Sequence, residues 1–151
     1  MGTAERRDLS YVELSANWSR LKDVFPVKDG YSLWGSEGVR PDDIKQGQIG
    51  NCWFLSGAAA VAEQPERLQS VFLNQGLSSE GIYGLQMYAL GVPVTITIDD
   101  NVPLWDSTTM TLFANIGKDK SLWAPLLEKA FAKMHGNYEA LVGGFAPAAI
   151  Y

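Results

Sequence analysis

Cysteine and histidine are nearly missing from this chain of 151 residues, which holds one of each, Cys52 and His135. A lone thiol allows no disulfide within the chain, and this predicts a reducing, cytoplasmic setting. A lone imidazole leaves His135 as the one side chain able to act as a histidine base. No apolar run approaches the roughly 18–20 residues that cross a bilayer, so no transmembrane segment is expected. The polar start, Met1 to Asp8, has no signal-peptide apolar region, and Arg6 stands where an N-myristoylation motif wants Ser or Thr. Positive charge is scarce: 12 Lys and Arg face 17 Asp and Glu, a formal net charge of −5. With no basic aromatic patch beside it, that balance argues against a nucleic-acid partner. Repeats, low-complexity tracts and charge runs are also absent. What is present, 46% hydrophobic and 19% charged residues, suffices for one globular unit with its own core.

Periodicity places the elements. Tyr11, Leu14, Trp18, Leu21 and Phe25 recur at three- and four-residue spacing before Pro26, predicting an amphipathic leader helix over about 10–25. Lys28 to Asp43 is rich in Gly and Ser and reads as an ordered surface loop. A second helix runs from Asn51 or Cys52 to about Glu63, its small Ala58 to Ala62 side chains suiting burial. A third starts at Pro65 and ends near Gly76. Ile82 to Leu90 and Val94 to Ile98 flank Gly91 as an antiparallel pair with one wet face, and Leu112 to Ala114 is a candidate third strand, giving a small sheet over about 82–114. Asp99 and Asp100, followed by Pro103, read as a loop cap rather than a metal pair. The last helix spans about 121–134, too apolar for a surface position, with Ser121 as its N-cap. The fold class is therefore α+β, mainly helical, with a small antiparallel sheet.

Chemistry concentrates in Gln46-Gly47-Gln48-Ile49-Gly50-Asn51-Cys52-Trp53, a Gly-rich loop that runs into an apolar helix. A lone cysteine is most often a small buried hydrophobe. Here, however, it meets the unpaired N–H groups and positive dipole end of a helix start, which favour a thiolate. Gln46 can turn its amide back toward the same point. Together with the Cys52 N–H it forms a candidate oxyanion hole for acyl transfer, with Cys52 as nucleophile.

This segment resembles the active-site segment of the calpain family of papain-like cysteine peptidases. The resemblance runs in order through Gly35 to Ser56, Gly81 to Gly84, Thr97 to Leu104 and Leu122 to Lys133, and covers roughly Trp18 to the C-terminus. It implies the first subdomain of a papain-like protease core, built around the helix that bears the nucleophile and acting on protein substrates. Acyltransfer or deubiquitination with the same residues is the weaker reading, because the resemblance outside the active-site segment is to calpains.

A Cys-His-Asn protease also needs an imidazole and an amide to orient it. In papain-like enzymes these lie roughly 130–150 residues after the cysteine, beyond Tyr151. His135 and Asn137 fall too early, and they read as a helix-end histidine and a turn former. The catalytic His and Asn are therefore expected outside this chain, on a second subdomain in cis that is absent here, and the chain alone is expected to be inactive. The apolar end, Val142 to Tyr151, reads as a stop at a subdomain boundary. The alternative is a calpain-like binding or regulatory module without proteolysis.

The resemblance further implies a calcium site. Its backbone carbonyls carry over to Ser36 and Gly38, its aspartate to Asp43, which reads equally as an Asx-type cap ordering the loop beside Gln46, and its second acid to Ser121. With serine in the last place the site is expected to be weak or absent, unless Glu37, Asp42 or Asp119 supplies the carboxylate that calcium wants.

Overall fold

The computed structural model describes residues 16–105 and 108–144. Its centre is a pair of helices. The first long one, here α2 (Cys52–Ala62), is short in side-chain volume: Gly57, Ala58 and Ala62 are buried and let neighbours approach closely. Phe54 on α2 stacks on Phe131 of α4 (Trp123–His135) with ring centroids 4.2 Å apart. Nine of the thirteen residues of α4 are buried, from Trp123 through Ala132, as its composition predicts. Short α3 (Pro65–Val71) packs beside α2, and short α1 (Leu21–Val24) follows directly on the first strand.

Among the described residues four strands form two antiparallel ribbons rather than one sheet: β1 (Ala16–Arg20) with β4 (Asn101–Trp105), and β2 (Ile82–Ala89) with β3 (Val92–Asp99). The β2–β3 hairpin turns through Leu90 and Gly91, both at positive φ (52° and 79°), the geometry a two-residue turn needs to match strand twist. Tyr83, Leu85, Met87 and Ile98 face the core while Thr95 and Thr97 face water, so the expected wet face is present.

Several expectations are corrected. The leader helix over about 10–25 does not extend through 16–20. Those residues are strand β1, with Trp18 opposite Pro103 and 52% exposed, and only Leu21–Val24 is helical; Tyr11 and Leu14 lie outside the described residues. The helical spacing of apolar residues is overridden because β4 offers unpaired backbone groups that a strand can satisfy. Pro103 accordingly sits inside β4, not in a turn. The third helix stops at Val71 instead of near Gly76, because Phe72 bridges to Leu85 and the Leu73 N–H donates to the Gly84 carbonyl. Leu112 to Ala114 joins neither ribbon and makes only isolated bridges through its neighbours Thr111 and Asn115. Ser121 is not the N-cap of α4; Leu122 is, and Ser121 belongs to a tight Gly117–Ser121 loop in which Lys120 takes φ 68°.

Candidate active site

Cys52 is the first residue of α2 and is exposed, whereas Asn51 just before it is fully buried. The Cys52 N–H meets no backbone carbonyl among the described residues, the usual state of a first-turn amide and the one an oxyanion donor needs. Residues 45–51 are held rather than loose. The Asn115 N–H donates to Lys45 O at 2.9 Å and the Gln48 N–H to Leu112 O at 2.9 Å, while Asn115 Nδ2 reaches Gln46 O at 3.3 Å. Gly47 is required by this contact: a Cβ there would lie 1.9 Å from the Phe113 carbonyl oxygen. Trp53 turns inward, donating from Nε1 to Leu141 O at 2.8 Å and packing edge-on against Phe131.

Gln46 lies on this loop with its Nε2 donating to Ile49 O at 2.7 Å. That bond curls the loop on itself, and it uses one of the two hydrogens a primary amide carries. His135, at the end of α4, packs tilted against Phe131 with ring centroids 4.3 Å apart and holds Nδ1 2.9 Å from the Phe131 carbonyl. No hydrogen bond joins it to Cys52 among the described residues.

Two groups that sequence reasoning did not single out support the site from beneath. Asn51 Nδ2 donates to Glu128 Oε1 at 2.6 Å, and the Ala114 N–H donates to Glu128 Oε2 at 2.8 Å. Burial pushes the Glu128 carboxyl up to about 7, against the pull of these two donors. One signal was available: an acid inside the apolar run of α4.

On the other side of the loop, Asp43 is 3% exposed. Its Oδ2 accepts the Arg40 N–H at 3.0 Å and the Trp123 indole N–H at 3.4 Å. A Cβ placed on Gly117 would lie 2.0 Å from Ser121 Oγ and 2.9 Å from both Asp43 Oδ1 and Asp119 Oδ1, so these three oxygens converge. Asp119 Oδ2 also takes the Glu37 N–H at 3.3 Å, and the Ser36 N–H donates to Asp119 O. The turn that carries Ser36 and Gly38 thus leans on Asp119. Burial, with the facing Asp119 adding to it, raises the Asp43 carboxyl above its ordinary range. Ser121 Oγ is buried without a hydrogen-bond partner. Glu37 and Asp42 point elsewhere, both pairing with the Arg40 guanidinium.

The exposed thiol thus opens a partly buried helix, with a Gln six residues earlier on a pinned loop. The chain belongs to the calpain family of cysteine proteases, whose model matches residues 4–151. Among curated relatives it is similar to the calpain-type cysteine protease ADL1 of Oryza sativa subsp. japonica, 39% identical over 142 residues, covering 92% of this chain and 6% of that protein. It is 40% identical over 143 residues to the calpain-type cysteine protease DEK1 of Arabidopsis thaliana, covering 93% of this chain and 7% of that one. The human calpain-2 catalytic subunit is 38% identical over 110 residues, 71% of this chain and 15% of the relative. The chain therefore spans a small fraction of the length of these relatives. No described helix is long and apolar enough to cross a membrane.

Proposed function

We propose that this chain is the nucleophile-bearing, papain-like half of an intracellular calpain-type cysteine endopeptidase, active in the longer protein and inactive alone. The observation that carries the reading is the exposed Cys52 at the start of a helix anchored by its buried Phe54, Leu55, Gly57, Ala58 and Ala62. A loosely held thiol could not keep its distance from a base supplied by another subdomain; one fixed at the head of a packed helix can.

In this reading the Cys52 thiolate attacks the carbonyl carbon of a peptide bond, and the oxyanion accepts hydrogen bonds from the Cys52 N–H and the free hydrogen of the Gln46 amide. An imidazolium from the second subdomain protonates the departing amine, which leaves a thioester. Water, deprotonated by the same imidazole, then releases the acid and restores Cys52. In the full-length protein Cys52→Ala is expected to abolish peptide turnover, and Gln46→Ala to lower kcat on the order of a hundredfold with KM little changed. Both are measured with a fluorogenic peptide. Turnover surviving in Cys52→Ala overturns Cys52 as the nucleophile, whereas a full-length wild type without turnover favours the non-proteolytic calpain-like module.

Calcium is part of the proposal. The Asp43 and Asp119 carboxylates and Ser121 Oγ converge, and together with the Ser36 and Gly38 carbonyls that the calpain resemblance assigns they would make an all-oxygen donor set of the kind calcium takes. The unpartnered Ser121 Oγ and the two facing acids suit a cation. When bound, calcium neutralises the facing carboxylates. Asp43 then anchors the head of the 44–51 loop and Asp119 holds the 35–38 turn against it. Asp119 takes over from the serine at 121 as the second acid.

A further inference from the structure

We propose that Glu128 is a positioning residue for Cys52: with Asn51 it forms a buried two-state clamp that fixes the nucleophile's helix start against the 112–115 segment that pins the loop carrying Gln46. The inference rests on the reading of Cys52 and Gln46 given above. One carboxylate oxygen holds Asn51, the residue before Cys52; the other holds the Ala114 N–H. The segment around Ala114 in turn fixes the Gln46 end of the loop through Asn115 and Leu112. A single side chain on α4 thereby ties together the two ends of the loop on which the oxyanion donor and the nucleophile sit. Asn51 makes no side-chain capping bond to its own helix, so its amide is free for this second task.

Two states follow from the bonds left unmade. Asn51 Oδ1 is buried with no partner. The ionised carboxylate accepts from Asn51 Nδ2. The neutral carboxyl has an O–H to donate, and it finds its acceptor when the Asn51 amide turns over and presents Oδ1. Proton uptake by Glu128 thus reorients the residue next to Cys52, with no other bond broken. The groups facing Glu128 do not obscure this. Neither Asn51 on α2 nor Ala114 in the 112–115 segment titrates, and among the described residues no cation pairs with it. From the turn after α4 it faces Tyr138, whose hydroxyl is held well above its ordinary range by burial, then by Glu128 and Asp99.

The test is the rate at which iodoacetamide alkylates Cys52 in the intact protein between pH 5 and 9, followed by peptide mass mapping. Alongside the thiol's own titration, wild type is expected to show an inflection near pH 7, where Glu128 changes charge. Glu128→Gln loses it, because a glutamine donates permanently to the turned-over Asn51 while its oxygen keeps the Ala114 N–H. Profiles of wild type and E128Q that superimpose overturn the proposal. Should E128Q fail to fold, Asn51→Ser breaks the clamp on the other side and keeps a good helix-capping residue; an inflection that persists in N51S overturns it equally. The readout needs only the thiol. Failure of the protease reading appears instead as turnover in Cys52→Ala or as a full-length wild type without turnover, so the two failures are distinct.

Discussion

Asp43 stands at the head of the loop that leads to Cys52 and Glu128 beneath its far end, and these two buried acids are served by different partners. Each Glu128 oxygen meets an N–H, at 2.6 and 2.8 Å. Asp43 meets one backbone N–H on Oδ2, a longer indole contact, and on its other side a second carboxylate and an orphaned hydroxyl. Both carboxyls are raised by burial, yet the neighbourhoods differ in what they are built to receive. An acid matched by neutral donors orders the backbone that supplies them and can accept a proton. An acid that faces another acid has charge left over, which a cation relieves.

The largest expected effect breaks the Glu128 side. Glu128→Ala orphans two buried N–H groups and leaves a cavity, which should destabilise the protein by about 3–4 kcal/mol in chemical denaturation. A loss under about 1 kcal/mol would mean the clamp holds nothing. Next comes the contrast itself. Calcium at a hundred times its dissociation constant is expected to stabilise wild type by about 2.7 kcal/mol. The gain should vanish in Asp119→Asn and survive in Glu128→Gln; thermal melts with and without calcium read both, and equal gains in all three proteins would remove the distinction between the acids.

A third effect is in pH. Because the folded Glu128 carboxyl is raised from 4.5 to about 7, the folded state binds more protons than the unfolded one across that window. Its contribution to stability is complete below about 4.5 and is lost as pH rises through about 7. Glu128→Gln should flatten that part of the stability profile, and an unchanged slope would assign it to another group.

Local signals were most legible where they were redundant. Cys52 opens α2 where the Gly-rich loop meets the apolar run, and Pro65 opens α3. The paired strands around Gly91 form with their wet face out. Trp18 misled, since helical spacing says nothing about a partner strand eighty residues away. Ser121 misled as well: its cap chemistry is real in isolation, but the Gly117–Ser121 loop points it toward Asp43. Asp119 was one of three possible substitutes for the missing acid, and the structure alone sets it apart from Glu37 and Asp42, which pair with Arg40. Gln46 was visible as an amide near the thiol, though not its bond to Ile49.

The amino-acid order by itself determined the family, the nucleophile candidate and the helix that bears it, because these depend on residues close in the chain and on a backbone pattern that repeats locally. The fold alone decided that Glu128 reaches Asn51 across 77 positions and that Asp43, Asp119 and Ser121 share one space. Such pairings arise when helices and loops pack, and burial then charges each polar atom for any partner it does not find.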